Sequence, residues 1–175
     1  PDSKGRVRLD YNMPSRGLIG FRAEFLTLTS GSGLLYHTFD KYGPIIQGLQ
    51  TGRRNGALIS IGQGKVLPYA LFNLQDRGKM IVETGIDVYE GMIIGIHSRN
   101  NDLVVNPLKG KQLTNVRASG TDEAVTLTTP INVTLEFALE FINNDELVEV
   151  TPDSLRIRKR YLKEHERKKA ARAAS

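Results

Sequence analysis

The chain has 175 residues, enough for one ordinary domain and part of a second. It contains no cysteine, which excludes disulfides and cysteine-based metal sites and predicts a reducing compartment. No apolar run approaches the ~20 residues of a membrane span and no signal-peptide pattern is present, so we expect a cytoplasmic protein without a membrane partner. Because the sequence begins with Pro1 rather than Met, we expect it to be part of a longer protein.

The net charge of +5 is concentrated at the C-terminal end of the chain. From Ser154 onward nine Lys or Arg residues and two Glu residues give +7, whereas residues 1–153 carry −2. A basic arm of this kind favours nucleic acids or acidic membranes on charge grounds, and a solvated tail that aids solubility explains the same composition.

Residues 1–47 predict the second half of a small α/β unit. "RVRLDY" alternates apolar and charged residues, as a half-buried strand does, and "LLYHTFDKY" predicts a second strand. Between them a helix is predicted with Ser15 as its N-cap and Gly31 as its C-cap. One helix on two strands buries its apolar face poorly, so we expect the other half of the unit to lie upstream.

Residues 48–175 predict a mostly β domain. After a polar link from Gly48 to Gly56, short apolar segments separated by Gly, Asn-Asp and Pro are typical of a barrel or sandwich. The predicted strands are "ALISIG", "KVLPYALFNL", "GKMIVE", "VYEGMIIGIHS", "DLVVNP" and "AVTLTTPI". With the first unit, this order gives an α+β fold class.

One packed helix is predicted over "TLEFALEFI", with Thr134 as its N-cap and Leu135, Leu139 and Ile142 along one face. "LVEVTP" and "SLRIRKR" predict a last pair of strands, in which the arginines point outward. The basic tail over residues 156–175 is predicted to end as a basic helix or a frayed terminus.

No catalytic constellation is present in the sequence. "GQGK" fails as a phosphate-binding loop, because Ile59 stands where glycine is required and Val66 replaces the Ser or Thr that would bind Mg²⁺. "SGSGLLY" follows the predicted helix, whereas a dinucleotide-binding loop precedes one. His37, His97 and His165 lie too far apart to predict a zinc site. We therefore expect no catalytic residue, no metal and no cofactor in this chain.

The stretch "KGKQLTNVRASGTDEA", from Lys109 to Ala124, is the strongest candidate for binding. Connections in compact domains are usually about 4–6 residues long, and longer ones tend to be functional or disordered. Its cations offer charge-assisted donors for phosphate, and the lack of aromatic residues favours recognition of RNA backbone and shape over base stacking. The residues predicted to contact RNA are Lys109, Lys111, Gln112, Thr114, Asn115, Arg117, Ser119 and Thr121. A disordered connection is the alternative.

Two long segments resemble known families. "VRLDYNMPSRGLIGFRAEFLTLTSGSGLLYHTFDKY" is similar to the second half of the fifth domain of elongation-factor-G-like GTPases. "QDRGKMIVETGIDVYEGMIIGIHSRNNDLVVNPLKGKQLTNVRASGTDEAVTLTTP" and "LEFALEFINNDELVEVTPDSLRIRKR" resemble the C-terminal domain specific to the BipA (TypA) family of ribosome-associated GTPases. The resemblance covers nearly the whole chain and implies a C-terminal fragment of such a protein.

The resemblance implies a parent that uses GTP and Mg²⁺, whereas this chain has no GTP-binding motif and is expected not to be an enzyme. The implied partners are the 70S ribosome, large-subunit rRNA and the A-site tRNA acceptor arm. The implied role is to position the factor at the A site and to support large-subunit assembly and growth under stress or in the cold. Residues 109–123 would make the main contacts and become ordered on the ribosome. Weaker contacts are predicted from Arg156, Arg158, Lys159 and Arg160.

We expect a monomer that does not bind DNA. The alternative function is a protein-interaction module that regulates its own GTPase domain. That surface would lie around Arg53-Arg54 and Tyr89-Glu90.

Overall fold

The computed structural model describes residues 7–18, 20–44, 53, 55–110 and 126–174. The chain divides into two compact units, unit 1 from Pro1 to Thr51 and unit 2 from Gly52 to Ser175. The division therefore follows Thr51, whereas the sequence places it after residue 47. Helices and strands occur together among the described residues, so the predicted α+β class is confirmed.

The helix of unit 1 begins later than the sequence predicts. A 3₁₀ turn over Ser15–Leu18 precedes α1, which spans Phe21–Leu28. Gly20 is the N-cap of α1 and has a left-handed φ of 80°, a conformation that glycine adopts without strain. The predicted N-cap at Ser15 is therefore wrong.

The same helix ends in a Schellman motif. The amide of Ser30 donates to the carbonyl of Thr27 (3.2 Å), and the amide of Gly31 donates to the carbonyl of Leu26 (2.7 Å). The C-cap is Thr29, so the predicted C-cap at Gly31 lies two residues too far along the chain. Gly31 nevertheless supplies the second motif bond, with φ at 78°.

The two strands predicted for unit 1 are absent from its described residues. Residues 7–14 and 32–44 contain neither helix nor strand, and apolar side chains such as Val7, Leu9 and Tyr36 are exposed. An extended segment becomes a strand only when a neighbouring backbone bonds to its N–H and C=O groups. The described part of unit 1 supplies no such neighbour.

Unit 2 contains eight strands among its described residues. They are β1 (Ala57–Ser60), β2 (Gly64–Lys65), β3 (Gly78–Met80), β4 (Asp87–Val88), β5 (Ile93–His97), β6 (Leu103–Val105), β7 (Glu146–Val150) and β8 (Leu155–Lys159). Four of them form a sheet in the order β3-β5-β1-β6, in which only the β1–β6 pair is parallel. The β2–β4 and β7–β8 pairs are antiparallel and separate from this sheet.

Helix α2 spans Pro68–Leu74, where the sequence analysis predicts a strand. Proline fits the first turn of a helix because its missing N–H needs no partner there, and it would interrupt a central strand. Ala70, Leu71 and Leu74 are buried at a helical spacing. The strand prediction over "KVLPYALFNL" is wrong, and residues 126–131 of "AVTLTTPI" contain no strand either.

Helix α3 spans Leu135–Phe141, and Thr134 is its N-cap as predicted. The hydroxyl of Thr134 accepts a hydrogen bond of 3.2 Å from the amide of the third helical residue. The buried face, however, consists of Ala138 and the last residue of the helix, Phe141. Leu135 and Leu139 are 46% and 53% exposed, so the predicted face is wrong for these two residues, whereas Ile142 packs against a core as predicted.

Two apolar cores lie on opposite faces of the four-stranded sheet. Alternate residues of a strand point to opposite faces; Leu58 and Ile94 therefore join one core, and Ile59 and Ile93 join the other. The first core contains Leu71 and Leu74 of α2, and the second contains Ala138 and Phe141 of α3 and Ile157 of β8. The sheet is thus covered on both sides within unit 2.

A buried ionic network begins at Arg53, close to the start of unit 2. Its guanidinium donates to both carboxylate oxygens of Glu146, with Nη2 2.7 Å from Oε1, and to the Phe141 carbonyl at 3.2 Å. It also lies 4.3 Å from the centroid of the Phe141 ring and 3.1 Å from Asp102 Oδ1. The Arg53 side chain is 7% exposed and that of Glu146 is fully buried. The pairing is bidentate, a geometry that lysine cannot reproduce.

Lys159, the last residue of β8, completes this network. Its ammonium lies 2.5 Å from Asp102, 2.7 Å from Asp145 and 2.8 Å from Glu146. Burial alone would raise the pKa of Asp102, but hydrogen bonds from Lys159 and from the Ala57 amide lower it below the ordinary value. Burial alone would lower the pKa of Lys159, but its three carboxylate partners raise it. Asp102 and Lys159 therefore both remain charged at neutral pH.

Replacing Lys159 with Met should reduce the free energy of unfolding by about 3–5 kcal/mol, because it removes one of the two cations that neutralise the buried carboxylate of Glu146 and the cation that binds Asp145. Equilibrium urea unfolding measures the change. A lowered carboxyl pKa stabilises above the ordinary value of 3.8 and a raised ammonium pKa stabilises below 10.5. The loss should therefore be constant from roughly pH 5 to pH 10 and shrink outside that range.

Lys65→Met is the matched control, because Lys65 pairs with Asp87 at 3.0 Å on the surface, where both side chains are mostly exposed. An exposed pair of this kind contributes about 0–1 kcal/mol. A cost for Lys159→Met no larger than that of the control would contradict the structural role of the network.

Candidate nucleic-acid interface

Most of the predicted RNA-binding loop lies outside the described residues. Lys109 is described and exposed. The other predicted contacts, Lys111, Gln112, Thr114, Asn115, Arg117, Ser119 and Thr121, fall outside the part of the chain that the structure covers. What the structure does show is how the two flanks of this segment are held.

Both flanks are hydrogen-bonded to the residues that cap α2. On the first flank the amide of Leu67, the N-cap of α2, donates to the carbonyl of Pro107 (3.0 Å). On the second flank the side chain of Gln75, the C-cap, donates to the Thr126 carbonyl (3.2 Å) and accepts from the Thr128 amide (3.1 Å). A seven-residue helix is about 10 Å long, so the two anchor points are separated by roughly that distance.

Apolar side chains strengthen both anchors. Leu108 and Leu127 pack against the core that contains Leu58 and Leu71. The described residues on either side of the polar segment are therefore fixed to the core and to α2. The sequence shows these anchors only as isolated leucines beside a polar run.

The basic strand β8 presents two of its arginines on the outer face of the β7–β8 pair. Ile157 and Lys159 are buried, so the strand alternation places Arg156 and Arg158 on the opposite face, where they are half-buried. Arg160 follows the strand and is exposed, with its guanidinium 6.0 Å from the ring centroid of Tyr161. The outward orientation predicted for Arg156 and Arg158 is confirmed.

Lys159 does not belong to this surface. The sequence analysis includes it among the cations of a basic tail, but its side chain is 3% exposed and is held by three carboxylates. A buried, neutralised ammonium has no free donor for a phosphate. The expectation that Lys159 is a free cation of the tail is therefore wrong. The strand alternation places Lys159 on the same face as Ile157, but the sequence does not reveal its carboxylate partners, because they lie at distant positions in the chain.

A tyrosine and a glutamate join the arginine face from two other segments. Tyr89 Oη donates to Glu149 Oε2 at 2.7 Å. Burial of Tyr89, the hydrogen bond to Glu149 and the charge of that carboxylate raise the pKa of the phenol well above its ordinary value, although Arg158 and Arg156 oppose the shift. The phenol therefore remains a donor at neutral pH. Sequence reasoning missed this contact, which joins residues sixty positions apart.

A basic helix follows this face, as one of the two predicted endings of the chain. Helix α4 spans Glu164–Ala174, and the Glu90 carboxylate accepts from the amide of its first residue at 3.2 Å. The guanidinium of Arg167 turns back to the carbonyls of Tyr161 (3.1 Å) and Leu162. Lys168 pairs with Glu164 at 2.6 Å. Lys169 and Arg172 are exposed.

The three carboxylates of the ionic network also resemble a metal site by position. Oxygens of Asp102, Asp145 and Glu146 lie within 4.8 Å of one another, the one such group in the part of the chain that the structure describes. The ammonium of Lys159 contacts all three carboxylates, and Arg53 binds two of them. Because protein cations already neutralise these oxygens, we assign no metal ion to them.

The structure also revises the protein-interaction surface predicted for the alternative function. Arg53 is buried in the ionic network, so it is not available to a protein partner and its predicted role there is wrong. Arg54 lies outside the described residues. The side chain of Tyr89 already binds Glu149, and that of Glu90 already binds the first amide of α4.

Among the helices that the structure describes, none combines the length and the apolar character that crossing a membrane requires.

Each of the two units matches a known family model. Residues 1–51 match the family model described as the elongation factor G C-terminus, and residues 55–164 match that of the TypA/BipA C-terminal domain. The large ribosomal subunit assembly factor BipA of Escherichia coli strain K12 is 66% identical over 99% of this chain. The proteins of that name from Haemophilus influenzae and Buchnera aphidicola are 61% and 60% identical over 100% and 98% of it.

The chain spans 28% of the length of each of these relatives. Its first unit corresponds to the elongation factor G match, in agreement with the resemblance read from the sequence. The second unit corresponds to the match that covers more than half of the chain. On this evidence the chain belongs to the TypA/BipA C-terminal domain family.

Proposed function

We propose that this chain is the ribosome-binding region of a cytoplasmic translational GTPase that assists assembly of the large ribosomal subunit. The relatives are named as large ribosomal subunit assembly factors, and the chain aligns with them over almost its whole length. In this proposal the parent binds GTP with Mg²⁺ elsewhere, and these two units recognise the ribosome. Large-subunit rRNA and the acceptor arm of an A-site tRNA are the RNA partners. The activity supports growth under stress or in the cold.

The observation that carries the proposal is the anchoring of the polar segment. Both of its flanks are fixed to α2 and to the core by Pro107, Leu108, Thr126 and Leu127. A segment that contains Lys111 and Arg117 is therefore tied to the domain at both ends. Lysine and arginine bind phosphate through charge-assisted hydrogen bonds, and each contact releases counterions from the RNA.

The arginine face of β8 adds a second contact region. Arg156, Arg158 and Arg160 form no ion pair with any residue that the structure describes, so their charge is available to an external anion. The two regions make RNA recognition a matter of backbone geometry and charge, with little reading of base sequence. In unit 1, the residues from Ser15 to Ser32 would contact large-subunit RNA near the stalk base and the sarcin–ricin region.

Neutralising the polar segment with Lys109→Gln, Lys111→Gln and Arg117→Gln should weaken binding of the full-length protein to large subunits by about 10- to 100-fold. Each lost phosphate contact lowers the slope of log K against log salt by about 0.7–0.9, so the slope should fall by roughly 2–3. Co-sedimentation between about 50 and 200 mM salt measures both quantities. The control replaces three exposed cations elsewhere, Lys65, Lys79 and Arg99, with Gln. Wild-type affinity and slope in the loop variant would refute the proposal.

Arg156→Gln combined with Arg158→Gln should lower the same slope by about 1.4–1.8, because two phosphate contacts are lost. The β7–β8 pair should remain folded, since neither guanidinium has a carboxylate partner among the described residues. Far-ultraviolet circular dichroism and urea unfolding check the fold. A slope equal to that of the wild type would remove the arginine face from the interface while leaving the polar segment in it.

A further inference from the structure

The β7–β8 pair sets two opposite charges directly across from each other. Glu149 is the register partner of Arg156 in this antiparallel ladder. Side chains at directly opposed positions have Cβ atoms about 4.5–5.5 Å apart, close enough for a carboxylate and a guanidinium to pair. The geometry of the strands therefore predicts a cross-strand ion pair between these two residues.

That ion pair is not formed. Glu149 Oε2 accepts the hydroxyl of Tyr89 at 2.7 Å. Outside the backbone ladder, the side chain of Arg156 makes no hydrogen bond and no ion pair with any residue in the described part of the chain. The guanidinium of Arg158, on the same face, donates only to the backbone carbonyl of Lys159, at a long 3.4 Å. Two neighbouring cations are thus left without a carboxylate although one lies within reach.

We propose that Tyr89 holds Glu149 away from Arg156 and thereby keeps Arg156 and Arg158 available as a pair of phosphate-binding cations for RNA. This inference rests on the proposed function and identifies Tyr89 as a positioning residue for it. Residues two apart on a strand share a face and lie about 6.6–7 Å from each other, so the two guanidinium groups can bind separate phosphates of one RNA strand.

The physical preference for Tyr89 comes from burial. Tyr89 packs against the core around Leu58, so its hydroxyl is held in place before the carboxylate binds it. A hydrogen bond from a fixed, half-buried phenol to a carboxylate is stronger than an ion pair that two flexible side chains form near solvent. The Tyr89–Glu149 hydrogen bond is therefore more stable than the cross-strand ion pair between Glu149 and Arg156. One carboxylate charge remains beside the arginines.

Tyr89→Phe tests the proposal, because it removes the hydroxyl and keeps the ring that packs in the core. The released Glu149 should then pair with Arg156, and the affinity of the full-length protein for purified large subunits should fall about 3- to 10-fold at constant salt. Tyr161→Phe is the matched control, since the hydroxyl of Tyr161 has no hydrogen-bond partner among the described residues. It should bind like the wild type.

Glu149→Gln distinguishes positioning from a general loss of structure. Alone, it should bind at least as tightly as the wild type, because the competing charge is gone. In that background Tyr89→Phe should have no further effect, so the double variant should regain the affinity that Tyr89→Phe loses. A double variant as weak as Tyr89→Phe, or a Tyr89→Phe variant that binds like the wild type, would overturn the inference.

The arginine double variant separates this failure from that of the proposed function. If Arg156→Gln with Arg158→Gln weakens binding and Tyr89→Phe does not, only the role of Tyr89 is wrong. If neither variant changes binding, the arginine face is not part of the interface and both the inference and that part of the proposed function fail. Coupling between Glu149 and Arg156 in urea unfolding, expected in Tyr89→Phe and absent in the wild type, reports on positioning without any RNA.

Discussion

The placement of the outward-facing arginines depends on one buried carboxylate. Glu146 is the first residue of β7, is fully buried, and is bound by both Arg53 and Lys159. In the β7–β8 ladder Glu146 pairs directly with Lys159, so their ion pair fixes the register of the two strands. Strand alternation then places Arg156 and Arg158 on the outer face, and a slip of one residue would turn both arginines toward the core.

The basic end of the chain therefore contains two kinds of charge. Lys159 is inside the fold and is neutralised by protein carboxylates, whereas Arg156, Arg158 and Arg160 are accessible and lack such partners among the described residues. Composition alone treats all four as one basic arm. The fold thus separates a run of basic residues into one structural cation and a face of surface cations.

Local patterns predicted much of unit 2. Thr134 was recognisable as an N-cap because a cap is a contact between near neighbours, and β7 and β8 were recognisable from their alternation. Helix α2 was missed because its seven residues are too few to separate a buried helix from a buried strand by periodicity. Pro68 is the one local signal of this helix, because proline is favoured in a first helical turn.

The parts of the candidate site that the sequence did not reveal all depend on contacts between distant residues. Tyr89 meets Glu149 only after the fold brings two segments together, and the anchoring of the polar segment requires both caps of α2. The two strands predicted for unit 1 are absent from its described residues for a related reason. The residue pattern there is typical of a strand, but a strand also needs a neighbouring backbone to which it can hydrogen-bond.

The junction at α4 has a consequence for how this domain can be labelled. The match to the family ends at residue 164, where α4 begins, and the described helix is joined to the rest of unit 2 through Glu90 and through backbone carbonyls that receive Arg167. No residue of α4 belongs to either apolar core among the described residues. Because neither core depends on α4, the far end of this helix is a natural attachment point for a fluorophore or an affinity handle.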